Sequence, residues 1–456
     1  MNRLFVSAAH KSSGKTTLCI GLAAALRARG EAVQPFKKGP DYIDPLWLGL
    51  AAGRPCYNLD PYLSGAGELR AEFAQRMQGA TLGLVEGNKG LYDGLALDGS
   101  NSNAALAATL GTPVVLVIDA RGMTRGIAPL ILGFQAFDPG IRIAGVILNQ
   151  LGGARHEAKL RAVIAHYTGV PVLGAVQYDE QLTIVERHLG LVPSNEADGA
   201  RARVGEIAAR IAAQVDLDSL LAVARSAPPL AAAVAPAPVR ARGAPLHLGI
   251  ARDAAFGFYY PGDLEALREA GAQLVPFDAL RDRRLPAVDA LFMGGGFPET
   301  HMDALAANGE LRAAVRAAIE GGMPAYAECG GLMYLARSIE WNGRRAEMAG
   351  VLPADIVMHA RPVGRGYVHL RETGNGLWPA QPALIRAHEF HYSSVENLAP
   401  GVRFAYAVER GYGIDGRHDG IVYKNLLASY AHLRDVAGHR WAARFVEFAA
   451  TAVTHA

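Results

Sequence analysis

Six five-residue runs in the first half of the chain, Leu4–Ala8, Ala32–Phe36, Leu82–Glu86, Val114–Ile118, Ala144–Leu148 and Val172–Val176, alternate with sequence of helical pattern. Short, almost uniformly apolar runs suit strands covered on both faces, and strands separated by helices pair in parallel, so this half is expected to form a largely parallel sheet. From about Ala222 to Pro245 the chain becomes rich in alanine and proline with scattered arginines, a composition that neither packs nor forms a helix easily. A second α/β series starts at Leu246, with strands expected near His247–Ala251, Leu274–Phe277, Ala290–Met293, Ala325–Glu328 and Leu427–Tyr430. With 456 residues the chain exceeds one ordinary core. Two α/β domains, 1–222 and 246–450, joined by a linker over 223–245, are the simplest arrangement; no repeat of solenoid period is present.

The balance of 45 basic and 43 acidic residues gives a formal charge of +2, without the concentrated basic composition of a nucleic-acid-binding chain. The cysteines, Cys19, Cys56 and Cys329, are widely spaced and odd in number, which suggests neither a disulfide framework nor a thiolate zinc site. The chain opens on a strand rather than a charged segment followed by an apolar core, and no apolar run reaches membrane-spanning length. A cytoplasmic protein with no nucleic-acid or membrane partner is therefore expected.

The stretch Pro324-Ala-Tyr-Ala-Glu-Cys329-Gly-Gly-Leu-Met-Tyr-Leu335 reads as strand, sharp turn and helix. A turn of this kind lifts one side chain clear of the backbone, and the helix N-terminus behind it favours an anion. Cys329 is thus a candidate nucleophile, against the alternative of a buried structural cysteine. Upstream, Ala290–Met293 runs into Gly294-Gly-Gly-Phe-Pro-Glu299, where successive glycines let backbone N–H groups face a developing oxyanion. Gly295, Gly296 and Gly330 are the expected donors. Such chemistry needs a base beside the thiol, and Leu427-Ala-Ser-Tyr-Ala-His432 supplies a histidine at the end of a strand.

In the first half, Ala9-His-Lys-Ser-Ser-Gly14-Lys15-Thr16-Thr17 follows the first strand and opens a helix over Leu18–Arg29. This is G-x-x-x-x-G-K-[ST] with Ala9 for the first glycine: backbone N–H groups meet phosphate, Lys15 the β/γ-phosphates, and the Thr16 hydroxyl Mg²⁺. Phe36-Lys37-Lys38-Gly-Pro-Asp41-Tyr42-Ile-Asp44-Pro45 ends the second strand, and Glu86 ends the run before Gly87-Asn88-Lys89-Gly-Leu-Tyr-Asp-Gly94. Loops at the carboxyl ends of parallel strands are where such sheets bind ligands, and a carboxylate opposite a phosphate loop suits Mg²⁺. Either Asp41 or Asp44 is placed to help hold the metal.

These motifs, with His188-Leu-Gly-Leu-Val-Pro193, resemble the cobyrinate a,c-diamide synthases, which share their N-terminal fold with dethiobiotin synthetase. The glycine loop, Cys329 and His432 resemble a class I glutamine amidotransferase of the CobB/CobQ type, a flavodoxin-like α/β domain. The resemblance implies a glutamine-hydrolysing carbon–nitrogen ligase that phosphorylates an acetate carboxylate of a tetrapyrrole with ATP and Mg²⁺, then displaces phosphate with ammonia taken from L-glutamine through a thioester on Cys329. It implies phosphate and metal roles for Gly14, Lys15, Thr16, Thr17, Asp41 and Glu86. Asp44, Tyr42 and Lys37 fall near the acceptor carboxylate or γ-phosphate, and Asn149 near adenine. A homodimer is left open.

Three departures bear on substrate and mechanism. Family members that make corrins usually have valine where Lys38 stands and an apolar pair where Asn88-Lys89 stands, which leaves cobyrinate or hydrogenobyrinate as the default substrate and sirohaem or sirohydrochlorin as the alternative. The glutamate that follows the catalytic histidine by two residues in the wider amidotransferase class is Arg434 here, so a Cys–His dyad without a named third member is expected. Arg386-Ala-His388-Glu-Phe-His391-Tyr-Ser393 fits a family motif, its histidines being read as structural or substrate-proximal rather than metal ligands. A rival of another class is a partitioning or switch ATPase with a degenerate C-terminal scaffold, although the signature lysine of such ATPases falls at His10.

Overall fold

The computed structural model describes residues 1–182, 184, 186, 187, 190–232, 245–381 and 383–454. Two compact units divide it, Met1–Pro236 and Ala237–Ala456. His188 and Leu189 of the quoted motif, and residues 233–244 of the expected linker, lie outside the described residues.

The first unit is built on seven strands: β1 (Asn2–Ala8), β2 (Val33–Lys38), β3 (Tyr57–Leu59), β4 (Leu82–Glu86), β5 (Val114–Asp119), β6 (Ile143–Leu151) and β7 (Val172–Gln177). They stand in the order β3-β2-β4-β1-β5-β6-β7, and every pairing is parallel. Five of the six runs read as strands lie inside these elements and Ala32–Phe36 begins one residue early; the strand of this sheet missed is β3, three residues long. Two apolar clusters cover the sheet, one containing Leu4, Val6, Ile20 and Leu22, the other Phe5, Phe36, Phe73 and Leu116. Odd and even residues of β1 thus feed opposite layers, as the period-2 alternation of a strand requires.

Helix α1 (Lys15–Ala28) follows β1 and packs on α3 (Ala200–Ala212), while α2 (Ile43–Ala52) follows β2. Helix α4 (Leu217–Arg225) has Asp216 as its N-cap, accepting from Asp218 N and Ser219 N, and extends three residues into the stretch expected to be linker from 223. Arg3, fully buried on β1, donates to the carbonyls of Leu110, Met1, Gly111 and Pro228, tying the chain beyond α4 to the first strand. Among the described residues no helix is long and apolar enough to cross a membrane.

The second unit has a nine-stranded sheet: β8 (Leu246–Ala251), β9 (Ala272–Phe277), β10 (Ala290–Met293), β11 (Ala325–Glu328), β12 (Gly364–Glu372), β13 (Ile385–His391), β14 (Arg403–Arg410), β15 (His418–Tyr423) and β16 (Leu426–Ser429). Its order is β9-β8-β10-β11-β16-β15-β14-β12-β13. The part from β9 to β16 is parallel and contains the five strands read from the sequence; the part from β16 to β13 is antiparallel. The α/β series expected here is thus present as the parallel part, and the antiparallel strands are an extension of it not read from the sequence. Along β12 the burial alternates irregularly between inside and outside, and arginines occupy outer positions, so this strand has no continuous apolar run.

Candidate active site

In the first unit the carboxyl ends of β1, β2 and β4 converge. Gly14, the residue before α1, takes φ +80, and a Cβ there would overlap the Asn149 side chain, so both conformation and space call for glycine. Asn149, at the same end of β6, donates to Ser13 O over 2.8 Å. It therefore braces the loop backbone from the strand end at which the family resemblance places adenine. Thr16 Oγ1 donates to Glu86 Oε1 (2.7 Å) and Asp44 Oδ2 (3.1 Å). Lys37 is buried with its ammonium 2.5 Å from Asp44 Oδ2, 2.8 Å from Glu86 Oε1 and 3.7 Å from Asp41 Oδ2. Asp41 lies behind Asp44, accepting from its backbone N–H over 3.1 Å. The carboxylates that touch the loop threonine are thus Glu86 and Asp44, not Asp41.

Three carboxyls around one ammonium interact strongly. Burial alone would push Asp44 up, but Lys37 and hydrogen bonds from Lys37 and Thr16 hold it below the usual carboxylate range. Asp41 is raised to about 8 by burial and by the Asp44 charge. Glu86 is also raised, by burial that Lys37 only partly offsets. Lys37 is driven well up by Asp44, Glu86 and Asp41 against its own burial. Lys15 donates to Lys89 O over 2.6 Å, and burial together with Lys37 pushes its ammonium down.

Among the described residues no three histidine, cysteine or carboxylate groups form a ready metal cage. The donor set nevertheless fits Mg²⁺. Glu86 Oε2 is buried with no hydrogen-bond partner, and hard oxygens from Thr16, Glu86 and Asp44 face one another, which suits a cation otherwise coordinated by phosphate and water.

Beside this cluster Lys38 is 3 % exposed and makes no ion pair or hydrogen bond among the described residues. Burial pushes its ammonium down, Asp60 opposes this, and Lys89 adds to it. Tyr42 precedes α2 and is buried at the same strand end; Asn88 donates its backbone N–H to Asn103 Oδ1 over 3.1 Å. The expected acceptor-side residues are therefore collected around the ends of β2 and β4.

In the second unit β11 ends at Glu328, Cys329 takes φ 47 and ψ −101, and the short helix Gly330–Leu335 follows. A non-glycine residue at positive φ is costly, and held this way it turns the thiol out of the strand line. A Cβ on Gly330 would lie 2.9 Å from Gly296 N, and one on Gly295 would lie 2.7 Å from His432 Cε1. The nucleophile turn, the glycine loop and the histidine therefore meet at the ends of β10, β11 and β16. Cys329 Sγ also lies 4.0 Å from Phe390 O. Burial and then Glu299 push the thiol well up, while the Gly330 N–H pulls it back.

His432 is carried by the turn after β16, which fully buried Asp419 fixes by accepting from Ser429 Oγ (2.8 Å), Tyr430 N (3.0 Å) and Ala431 N (2.9 Å). The buried motif on β13 forms its wall. His388 stacks on His432 with ring centres 4.9 Å apart, and His391 stacks on Tyr430 at 3.7 Å. His391 Nδ1 meets Ser393 O at 2.8 Å. These contacts place both histidines around the amidotransferase turn. Glu328, read in the sequence only as the last residue of its strand, lies against His432; this proximity comes from strand pairing and has no local sequence signal.

A model of the CobQ/CobB/MinD/ParA nucleotide binding domain matches residues 5–192, and one of the CobB/CobQ-like glutamine amidotransferase domain matches residues 247–436. A protein of Magnetococcus marinus named cobyrinate a,c-diamide synthase is 49% identical over 98% of this chain and 97% of its own length. The chain belongs to the cobyrinate a,c-diamide synthase family. Proteins of the same name from Methanosarcina acetivorans, 40% identical over 98% of the chain and 95% of their own, and from Archaeoglobus fulgidus, 39% identical over 98% and 97%, span it equally fully. As a member of this family the chain is an amide synthase that joins a nucleotide-binding domain to a glutamine amidotransferase domain. The full-length match and the assembled Cys329 turn weigh against the rival of a partitioning ATPase with a degenerate scaffold.

Proposed function

We propose that the chain, acting in the cytoplasm, amidates acetate carboxylates of a modified tetrapyrrole, cobyrinate being the default substrate, with ammonia from L-glutamine and energy from ATP. The observation that carries this reading is the pairing, in one chain, of a phosphate loop facing the Lys37 carboxylate cluster with a cysteine elbow that adjoins the glycine loop and the turn bearing His432. In the amidotransferase domain His432 takes the Cys329 proton, the thiolate attacks the glutamine carboxamide carbon, and the N–H groups of Gly296 and Gly330 hold the oxyanion. Ammonia departs with a proton returned by His432, and water hydrolyses the thioester to glutamate.

In the nucleotide-binding domain Gly14, Thr17 and Lys15 bind phosphate, and Lys37 steadies the γ-phosphoryl group as the acceptor carboxylate attacks it and ADP leaves. Ammonia then displaces phosphate from the carboxyl phosphate. Thr16, Glu86 and Asp44 would hold Mg²⁺, with Asp41 behind them; the ion would supply positive charge at the transferred phosphoryl group. The domain limits that go with this reading are the expected 1–222 and 246–450, the first lengthened to Arg225 by helix α4.

Lys38 supports a second reading of the substrate. A nearly buried ammonium without an ion-pair partner among the described residues, close to Lys89, suits an additional carboxylate of the macrocycle, as on sirohaem or sirohydrochlorin. Purified protein with ATP, Mg²⁺ and glutamine, offered cobyrinate and sirohaem separately, is expected to convert carboxyl to carboxamide on one of them, read by product mass. Conversion of neither sinks the tetrapyrrole reading. Lys38→Val is expected to raise the KM for the macrocycle about 10–100-fold, the value of a charged hydrogen bond, with the KM for ATP unchanged. An equal rise in both would place Lys38 at the nucleotide instead.

A further inference from the structure

Position 434, two residues beyond His432, carries arginine, and its side chain is committed elsewhere: Nη1 is 3.1 Å from Asp263 Oδ1, and the guanidinium lies 4.1 Å from the Tyr260 ring centre. Position 434 therefore supplies no carboxylate, and Asp435 accepts from Arg440 Nη1 (2.9 Å) and Ala442 N (3.1 Å). A carboxylate reaches His432 from the neighbouring strand. Glu328, the residue immediately before the nucleophile, is 3 % exposed, and its Oε2 lies 3.5 Å from His432 Nδ1.

The two Glu328 oxygens have separate partners. Oε1 accepts from Tyr326 O–H (2.6 Å) and from Leu433 N–H (2.9 Å). Two donors on one oxygen fix the carboxylate plane, and one of them belongs to the residue that follows His432, so the same group locks the backbone carrying the imidazole. The other oxygen is left facing the ring. The 3.5 Å separation is ion-pair distance, and catalytic contacts of this kind shorten when substrate binds.

We infer that Glu328 is the positioning residue of the glutaminase site, holding His432 in the Nδ1–H tautomer so that Nε2 is the base for the Cys329 thiol. This rests on the glutaminase reading of the C-terminal domain. No atom of Glu328 enters the reaction; it acts through the imidazole. The opposite ring face is covered by His388, whose backbone carbonyl accepts from His432 N over 2.8 Å. His388 is held well below the ordinary histidine range by burial, by His432 and by Arg434, so a neutral ring lies there and does not compete for the proton.

The other titratable and charged groups around the site are accounted for. Tyr260 O–H faces His388 at 3.5 Å, Arg434 pairs with Asp263, Asp419 is saturated by Ser429 and backbone N–H groups, and Glu299 acts on Cys329. Glu328 is the carboxylate in ion-pair range of His432 among the described residues.

The test is Glu328→Gln in the full chain, assayed for glutamine hydrolysis and separately for amidation driven by free ammonia. Glutamine at this position keeps an oxygen for Tyr326 and Leu433 but offers an N–H₂ donor to Nδ1, which favours the tautomer with the proton on Nε2 and removes the base. Glutaminase kcat/KM is expected to fall about 10²–10⁴-fold, with ammonia-driven amidation unchanged. Glu328→Asp is expected to recover part of the loss. The acid limb of the kcat/KM profile for glutamine should move to lower pH in Glu328→Gln, because an imidazolium without its carboxylate releases its proton more readily. Unchanged glutaminase, an unmoved acid limb, or parallel loss of ammonia-driven amidation would each overturn the assignment, the last by showing that Glu328 supports the fold. Wild-type protein with no glutaminase activity would instead sink the underlying reading of the domain.

Discussion

Cys329→Ala is expected to abolish glutamine-driven amidation, by about 10⁴-fold or more, while amidation with a high concentration of free ammonia survives. The size follows from the loss of the only atom that can form the thioester; the remaining oxyanion donors and His432 can at best assist attack by water. The selectivity follows from the division of labour between the units. Carboxyl phosphate formation needs the phosphate loop and the Lys37 cluster, none of which involves residue 329. Alanine also suits the site sterically. Cys329 is 7 % exposed, and its Sγ meets only weak sulfur partners among the described residues, Phe390 O at 4.0 Å and the Gly330 N–H, so truncation removes little hydrogen bonding. The φ of 47 is strained for alanine as for cysteine, so the backbone cost is largely the same in both chains. Rates of glutamate release, of amidation with glutamine, and of amidation with ammonium salt, measured on wild type and variant together, check the prediction. Loss of the ammonia-driven reaction would show that the two chemistries are not separable in this way.

The contrast between what the residues revealed and what they concealed has a physical origin. Strands β1, β4, β10 and β11 could be read because both their faces are covered, so their runs up to the ligand-binding edge are almost wholly apolar, buried Arg3 and Ser7 on β1 being the exceptions. The same rule marked Glu86 and Cys329, since a charged or reactive side chain directly after such a run stands at the ligand-binding edge. The antiparallel strands β12 to β15 were illegible by that rule. They carry charge on exposed positions, as in Arg403-Phe-Ala-Tyr-Ala-Val-Glu-Arg410, and their inner faces alternate too irregularly to separate from loop sequence. The partner of Thr16 was half legible: two aspartates three residues apart both fit, and only the start of α2 brings Asp44 rather than Asp41 to the hydroxyl. The Glu328–His432 pair was concealed altogether, because it depends on the parallel register of β11 and β16, with Glu328 opposite Ser429 and the Asp419-bound turn bringing the histidine back.

Lys37→Met should be the mirror image of Cys329→Ala: amidation lost with either nitrogen source, by about 10³-fold or more as for other groups that stabilise a transferring phosphoryl, with glutamine hydrolysis retained. It differs in also costing stability. Lys37 is the ammonium within 4 Å of Asp41, Asp44 and Glu86, and removing one member of a buried ion cluster typically costs about 3–5 kcal/mol because the remaining charge is left unpaired. The carboxyls can escape part of that penalty by protonation. Glu86 and Asp41 already sit above their usual range, chiefly through burial, and without Lys37 the lowered Asp44 should rise as well. A carboxyl raised on folding holds its proton in the native state at a pH where the unfolded chain has lost it, so its native state loses stability as pH rises above about 4. The gap in melting temperature between wild type and Lys37→Met should therefore be small near pH 5 and widen towards pH 8. A gap that stayed constant over this range would mean that Lys37 contributes packing by its aliphatic stem rather than charge, and the phosphoryl-transfer role assigned to its ammonium would have to pass to Lys15.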